Sequence, residues 1–161
     1  MDIFSFPLVT AFFGNILAQA AKALIQAITH RSFNPDVVFA SGGMPSSHSS
    51  TVAALTMAIG LKEGFESSVF TLSLIFTSVV AYDAMGVRLA AGRHAAALNI
   101  LMDEFMELRQ LAMSSEPNKG RLVIARFRER IGHSVGEVFV GLTLGSVVAM
   151  VMYHLVYQGE V

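Results

Sequence analysis

The chain has 161 residues, of which 53% are hydrophobic and only 14% are charged, against about a quarter charged in soluble globular proteins. This composition excludes an ordinary soluble domain, because too few polar side chains remain to cover its surface. The formal net charge of −1 gives no reason to expect a nucleic-acid partner, and the lack of cysteine excludes disulfides, thiolate metal sites and cysteine nucleophiles. We therefore expect an integral membrane protein with one domain over residues 1–161.

Four hydrophobic segments predict an all-α bundle of about four helices. They cover about residues 4–28, 46–61, 69–87 and 134–157. A helix needs roughly 20 apolar residues to cross the hydrocarbon core. The second segment is short, so the sequence leaves open whether it crosses fully. The long third connection, residues 88–132, adds an amphipathic helix at about 92–113, because its apolar residues recur at three- and four-residue steps. A loop at 114–120 and a basic segment at 121–130 follow.

Polar side chains in the first segment form one stripe. Residues three and four apart share a helix face, and polar groups inside a span normally face the bundle interior. The stripe contains Asn15, Gln19, Lys22 and Gln26. In the last segment Glu137, Gly141 and Gly145 are spaced in the same way, with His133 just ahead of them. We interpret the glycine pair as a site of close helix packing rather than of chemistry.

Four cationic or titratable residues lie at segment ends that share one side of the membrane if all four segments cross. They are Lys22, His48, Arg88 and His133. The connections on this side carry nine arginine and lysine residues, whereas the other side carries only Lys62. The positive-inside rule places the basic side in the cytoplasm. We therefore expect the face with these four residues to be cytoplasmic.

The sequence GGMPSSHSS at residues 42–50 is the most unusual stretch of the chain. Its glycines permit close backbone approach to a ligand, and Pro45 is placed to begin a helix that Ser46 or Ser47 could cap. A helix start has exposed N–H groups and partial positive charge, which suit a phosphate. His48 in the first turn could protonate a leaving oxygen near neutral pH. From spacing alone, helix capping is favoured over catalysis.

This segment resembles the second signature, P-S-G-H, of the type-2 phosphatidic acid phosphatase superfamily, which includes lipid phosphatases and vanadium-dependent haloperoxidases. It is more similar still to a divergent branch of small membrane proteins. The hallmarks of that branch are G-G-M-P-S-S-H-S, then Y-D-A-x-G-V-R, then G-H, and this chain has them at residues 42–49, 82–88 and 132–133. The resemblance covers nearly the whole chain and reverses the preference from capping to catalysis.

The resemblance implies a set of catalytic roles. In the superfamily one histidine attacks phosphorus, a second protonates the leaving alcohol, basic residues hold the phosphate oxygens, and no metal or other cofactor is needed. Carried over by position, the roles fall on the following residues: His133 is the nucleophile, Glu137 orients it, His48 is the acid, and Lys22, Ser46, the Ser47 backbone and Arg88 bind phosphate. Asp83 would support Lys22 or Arg88, although a purely structural ion pair is an equal alternative.

The chain departs from the superfamily signatures at three places. The first signature, K-x6-R-P, is not kept, since Arg31 follows Lys22 at nine residues and no proline comes after it. The arginine expected six residues before the nucleophile is replaced by Phe127. A competing alignment pairs Arg88 with His94 as the nucleophile, but a leucine then stands where the acid should be. We prefer His133 and keep His94 as the alternative.

Together these features predict a metal-independent phosphatase in a multi-pass protein of the bacterial cell membrane. Its expected partner is a phosphorylated lipid, namely a prenyl phosphate or diphosphate, phosphatidate or phosphatidylglycerophosphate. Two rival functions remain open: a non-catalytic protein that binds or translocates such a lipid, and a structural subunit whose helix at 92–113 docks a partner. The sequence is also compatible with a homo-oligomer.

Overall fold

The computed structural model describes residues 5–30, 43–112, 125–129 and 131–157. They form five α-helices and no strand: α1 (Phe6–His30), α2 (Ser47–Glu63), α3 (Ser68–Met85), α4 (Val87–Ala112) and α5 (Val135–Met152), which continues into a π-helical turn, Tyr153–Tyr157. The predicted all-α bundle is confirmed. Residues 31–42 of the connection between the first two segments and the predicted loop at 114–120 lie outside the described residues.

Among the described residues, three helical stretches are long and apolar enough to cross a membrane. They are Phe6–Thr29, Ser68–Leu111 and Val135–Val156. The helix α2 has 17 residues, which corresponds to about 25 Å and falls short of the hydrocarbon core of about 30 Å. It packs against α1, α3 and α5, and its buried positions hold small or weakly polar residues. The weakly apolar α2 therefore lies at the centre of the bundle, where the three more hydrophobic helices shield it from lipid.

Glycines allow α5 to approach α2 closely. A Cβ atom added to Gly141 would lie 2.5 Å from the carbonyl oxygen of Ser46, and one added to Gly145 would lie 2.1 Å from that of Ser50. The prediction that this glycine pair serves packing is confirmed. On the other side of α2, the hydroxyl of Ser50 donates to the carbonyl oxygen of Gly14 in α1 at 2.8 Å. Small residues thus hold α2 tightly between its neighbours.

The polar stripe of α1 faces α2, as predicted. The amide of Asn15 donates to the hydroxyl of Thr51 at 2.9 Å, and that of Gln19 donates to the hydroxyl of Ser47 at 3.4 Å. Lys22 is 2% exposed. The amide nitrogens of Asn15 and Gln19 therefore pair between helices, and Lys22 is buried in the bundle instead of facing lipid, where a polar group would be costly.

The predicted amphipathic helix is present as α4, but it begins at Val87 rather than near residue 92. The reason is that Gly86 joins α3 to α4 without a loop: its N–H donates to Tyr82 and its carbonyl accepts from Ala90. The buried positions of α4 are Gly92, Ala95 and Asn99 rather than its large apolar residues. Those large residues are exposed, namely Leu98, Ile100, Leu101, Phe105, Leu108 and Leu111.

Candidate active site

His133 is held in position immediately before α5. Its Nδ1 lies 3.0 Å from Oε2 of Glu137, and its backbone N–H donates to the carbonyl oxygen of Ala84 at the end of α3. Glu137 also accepts from the backbone N–H of Ser134, whose hydroxyl accepts from the backbone N–H of Glu137 in return. This reciprocal capping fixes the carboxylate. Since His133 is only 3% exposed, packing and hydrogen bonds together determine the orientation of its imidazole.

The start of α2 is attached to the start of α5. The backbone N–H of Ser46 donates to the carbonyl oxygen of Glu137 at 3.1 Å. The hydroxyl of Ser46 caps α2 by accepting from the backbone N–H of Ser49 at 3.3 Å. The first N–H groups of a helix have no carbonyl partner within it. The segment at 43–48 therefore brings the positive end of α2 next to His133.

A cavity of about 210 Å³ opens between α2, the end of α3 and the residues before α5. His48, Asp83, Arg88 and His133 line it, and the remaining walls are apolar: Val79, Val80 and Ala84. Nε of Arg88 donates to Oδ2 of Asp83 in an ion pair. The predicted acid and the predicted nucleophile thus share one cavity with a guanidinium group.

Lys22 lies beside this cavity rather than in its wall. Its methylene groups pack 3.7–3.9 Å from the position that a Cβ of Gly43 would occupy. Gly43 has a φ of 102°, a backbone conformation that residues with a Cβ rarely adopt. The ammonium group of Lys22 interacts electrostatically with Glu137. Burial, together with the neighbouring groups of Arg88, His133 and Lys22, lowers the pKa of His48 below its usual value. The structure therefore brings together the four residues that the sequence placed on one face.

The two serines of the motif have their hydroxyls engaged within the protein. The hydroxyl of Ser46 accepts from both the backbone and the hydroxyl of Ser49, and that of Ser47 accepts from Gln19. Both serines are buried, and neither lines the cavity. The structure thus shows the capping role of Ser46, whose backbone N–H is also bound to Glu137. Phosphate binding by Ser46 and by the backbone of Ser47 stays a prediction.

The alternative nucleophile is placed differently. His94 is exposed on α4 and is not among the residues that line the cavity. Phe127, which stands where the superfamily has an arginine, is also exposed, at 50%. Arg88 is the arginine that lines the cavity. The geometry therefore favours His133 over His94.

Sequence reasoning missed the polar attachment of the segment before His133 to α4. The amide of Asn99 donates to the carbonyl oxygen of Phe127 at 2.9 Å and accepts from the N–H of Phe127 at 3.0 Å, and it also donates to Glu129. Farther along, Gly132 packs so closely on the backbone of Arg88 and Leu89 that a Cβ would lie 2.4 Å from the nitrogen of Leu89. Nothing in a lone asparagine of an amphipathic helix signals such a tertiary contact.

We expect Asn99→Ala to loosen this attachment. Each lost hydrogen bond contributes about 1 kcal/mol, so the amide of Phe127 should exchange its hydrogen at least about tenfold faster in hydrogen-exchange mass spectrometry. Asn15→Ala, which removes a hydrogen bond between α1 and α2, is the matched control and should leave exchange at Phe127 unchanged. Equal protection of Phe127 in the Asn99→Ala variant would show that Asn99 does not hold this segment.

Within the described part of the chain, no group of three or more histidine, aspartate or glutamate side chains is arranged to hold a metal ion. The groups that converge at the site are instead two imidazoles, two cations, two carboxylates and a helix start. Such a set suits the binding of an anion with several oxygens, because ammonium, guanidinium and backbone N–H groups all donate to oxygen.

The fold and the site together define a helical membrane protein with a polar, histidine-containing cavity at one end of its bundle. Residues 4–148 match the Divergent PAP2 family, and the chain belongs to that family. The chain is 36% identical over 154 residues to an uncharacterized membrane protein, YuiD, of Bacillus subtilis (strain 168), covering 93% of this chain and 95% of the relative. No solved structure matches the chain significantly. The resemblance inferred from the three motifs is thus confirmed at the level of the family.

Proposed function

We propose that the protein is a membrane-embedded phosphatase that hydrolyses a lipid phosphate through a phosphohistidine intermediate. The observation that carries this proposal is that His133 and His48 line the same cavity while Glu137 engages Nδ1 of His133. A carboxylate on Nδ1 favours the tautomer with the proton on that nitrogen. Nε2 then has a lone pair available for attack on phosphorus.

In the first step Nε2 of His133 attacks phosphorus, and the bond between phosphorus and the leaving-group oxygen breaks. His48, as the imidazolium, gives its proton to the departing oxygen, so that a monophosphate substrate leaves as the lipid alcohol and a diphosphate substrate as the lipid monophosphate. Glu137 stabilises the positive charge that develops on the His133 ring. The products of this step are the lipid alcohol or lipid monophosphate, phosphohistidine and a neutral His48.

In the second step neutral His48 takes a proton from water, and the oxygen of that water attacks phosphorus. The bond between phosphorus and Nε2 breaks, and inorganic phosphate leaves. His133 and protonated His48 are restored. The same residue thus serves first as acid and then as base, and the two steps together consume one water.

Electrostatic stabilisation of the phosphate would come from several directions. Arg88 uses one of its five N–H donors on Asp83, which leaves the ends of the guanidinium for phosphate oxygens. Lys22 adds a charge from the side of α1, and the N–H groups of Ser47 and His48 add the partial positive charge of the α2 start. Charge that develops on the oxygens in the transition state would be stabilised most.

The proposed substrates are lipids with an exposed phosphate: prenyl phosphates or diphosphates, phosphatidate or phosphatidylglycerophosphate. The site lies at one end of a bundle whose long helices are apolar, which supports a substrate that is itself anchored in the bilayer. The excess of arginine and lysine in the connections supports a cytoplasmic active face in a bacterial cell membrane. A protease-accessible tag inserted at residues 114–120 should accordingly be protected in intact cells.

The test is phosphate release by the purified protein in detergent from a panel of these lipids. Vanadate readily becomes five-coordinate and so mimics phosphorus in the transition state, and it should therefore inhibit the reaction. A metal chelator should have no effect, because no step in the proposed mechanism uses a metal. Heat-denatured protein is the control for contaminating release. Activity that the chelator abolishes would contradict the mechanism.

A second candidate function is binding or translocation of a phosphorylated lipid without hydrolysis. It is favoured by the absence of the superfamily arginine at position 127, where an exposed phenylalanine stands with its backbone bound to Asn99. A lipid labelled in its phosphate separates the two functions. A phosphatase leaves label on His133 after rapid quenching in alkali, in which phosphohistidine survives, whereas a carrier binds the lipid and leaves the protein unlabelled.

A further inference from the structure

A second cavity, of about 350 Å³, lies between α2, α3 and α5. This volume is within the range of about 300–1,000 Å³ found for small-molecule sites. The two cavities share no lining residue, but they approach each other along α3, since Ala84 lines the first and Ala81, about one helical turn earlier on the same face, lines the second. The second cavity extends along α3 from Ala81 toward Phe70, away from the two histidines.

The wall of the second cavity is apolar even where it carries hydroxyl groups. The hydroxyl of Thr56 bonds to the hydroxyl of Thr77 and to the carbonyl oxygen of Ser73, and Thr77 donates in turn to Val52. The hydroxyls of Ser78 and Ser146 donate to carbonyl oxygens four residues earlier in their own helices. Because each of these hydroxyls has a hydrogen-bond partner within the protein, a hydrocarbon in the cavity would leave none of them unpaired. The lining of the cavity therefore fits a hydrocarbon.

Two aromatic rings lie at the far end of the second cavity. Phe65 and Phe70 both line it, and their rings meet edge to face at 5.1 Å between centroids. Gly60 allows this arrangement, because a Cβ there would lie 2.6 Å from the ring of Phe65. Ala81 lies eleven positions after Phe70, which corresponds to about 16 Å of helix, or about half of the hydrocarbon core. The cavity therefore has the length of a lipid tail within one leaflet.

We infer that the second cavity binds the hydrocarbon tail of the lipid whose phosphate occupies the His48–His133 site, and that the Phe65–Phe70 pair limits the length of that tail. This inference rests on the proposed function, since it takes the phosphate site as the anchor of the headgroup. The tail moves from the bilayer into an apolar cavity, so its binding gains little hydrophobic free energy. The contribution of the cavity is to hold the lipid so that its phosphate is correctly placed at the two histidines. Correct position matters, because a misplacement of about 1 Å at the reacting atoms can cost about a hundredfold in rate.

A substitution that fills the cavity tests the inference. Ser78→Phe places a ring in the cavity at an exposed position of α3. Thr143→Phe is the matched control, since Thr143 is also exposed, also donates to the carbonyl oxygen four residues earlier, and lies outside the cavity. We expect Ser78→Phe to lower kcat/KM for hexadecyl phosphate at least about tenfold while leaving kcat/KM for hexyl phosphate unchanged. Thr143→Phe should change neither value. An equal loss on both substrates would overturn the inference.

A binding measurement separates failure of the inference from failure of the proposed function. Hexadecyl phosphate with a photoreactive diazirine at the end of its tail should label the unsubstituted protein near Phe65 and Phe70, as mapped by mass spectrometry. Labelling there without phosphate release would support the tail site and reject the phosphatase. Phosphate release with labelling elsewhere would reject the tail site alone. Because this measurement uses the unsubstituted protein, it also stands if Ser78→Phe fails to fold.

Discussion

Replacement of His133 by alanine is expected to lower phosphate release from lipid phosphates by at least about a thousandfold. In the proposed mechanism Nε2 of His133 forms the bond to phosphorus, and no water-mediated route can replace a removed nucleophile efficiently. Substrate binding should change much less, because the cationic groups and the α2 start remain. The measurement is the initial rate of phosphate release, together with labelling of the protein by a lipid that carries labelled phosphate.

His94→Ala is the matched control, since it removes the other histidine that the sequence offered as nucleophile. It should retain nearly full activity, because His94 is exposed on α4 and does not line the cavity. His133→Gln serves as a second variant that keeps most of the buried volume, so that loss of folding is not mistaken for loss of chemistry. Full activity in His133→Ala with none in His94→Ala would reverse the assignment of the nucleophile.

Gly145→Ala is expected to destabilise the bundle by about 1–3 kcal/mol, the usual cost of overpacking. The added Cβ would lie 2.1 Å from the carbonyl oxygen of Ser50 and 2.9 Å from the backbone nitrogen of Ala54. Both are backbone atoms of α2, so the two helices must move apart. That movement would also disturb Ser46, which joins the start of α2 to Glu137. The thermal midpoint of the helical circular-dichroism signal in detergent measures the loss of stability.

Gly136→Ala provides the comparison within the same helix. A Cβ at Gly136 would meet no atom within 4 Å. In a helix interior alanine is favoured over glycine by about 1 kcal/mol, and Gly136 lies in the first turn of α5, where this gain is smaller. Helix propensity therefore cannot account for a loss of stability in Gly145→Ala. Gly136→Ala should therefore unfold at the same temperature as the unsubstituted protein or slightly above it. If both variants shifted equally, close packing at Gly145 would not be a determinant of stability.

The sequence by itself determined the helices and the residues with reactive side chains. The lengths of the apolar segments predicted the helices, because a polar backbone in lipid must satisfy its hydrogen bonds within the chain. The spacing of Asn15, Gln19 and Lys22 predicted the face of α1 that turns inward. The spacing of His133 and Glu137 also predicted their contact, although His133 lies just before α5 and the pair meets at the start of that helix rather than along it. Resemblance of three motifs then identified the family.

Only the tertiary structure decided how these parts are combined. The short, weakly apolar α2 became the central helix, because its small buried residues and the glycines of α5 let three more hydrophobic helices pack around it. The structure also placed His133 at the cavity and His94 on the exposed surface of α4, a difference in position that spacing along the chain does not show. Asn99, Gly132 and the second cavity were not predicted. Each depends on contacts between residues that are distant in the chain. The periodicity of apolar residues predicts which face of a helix is buried, but it does not predict which residues pack against that face.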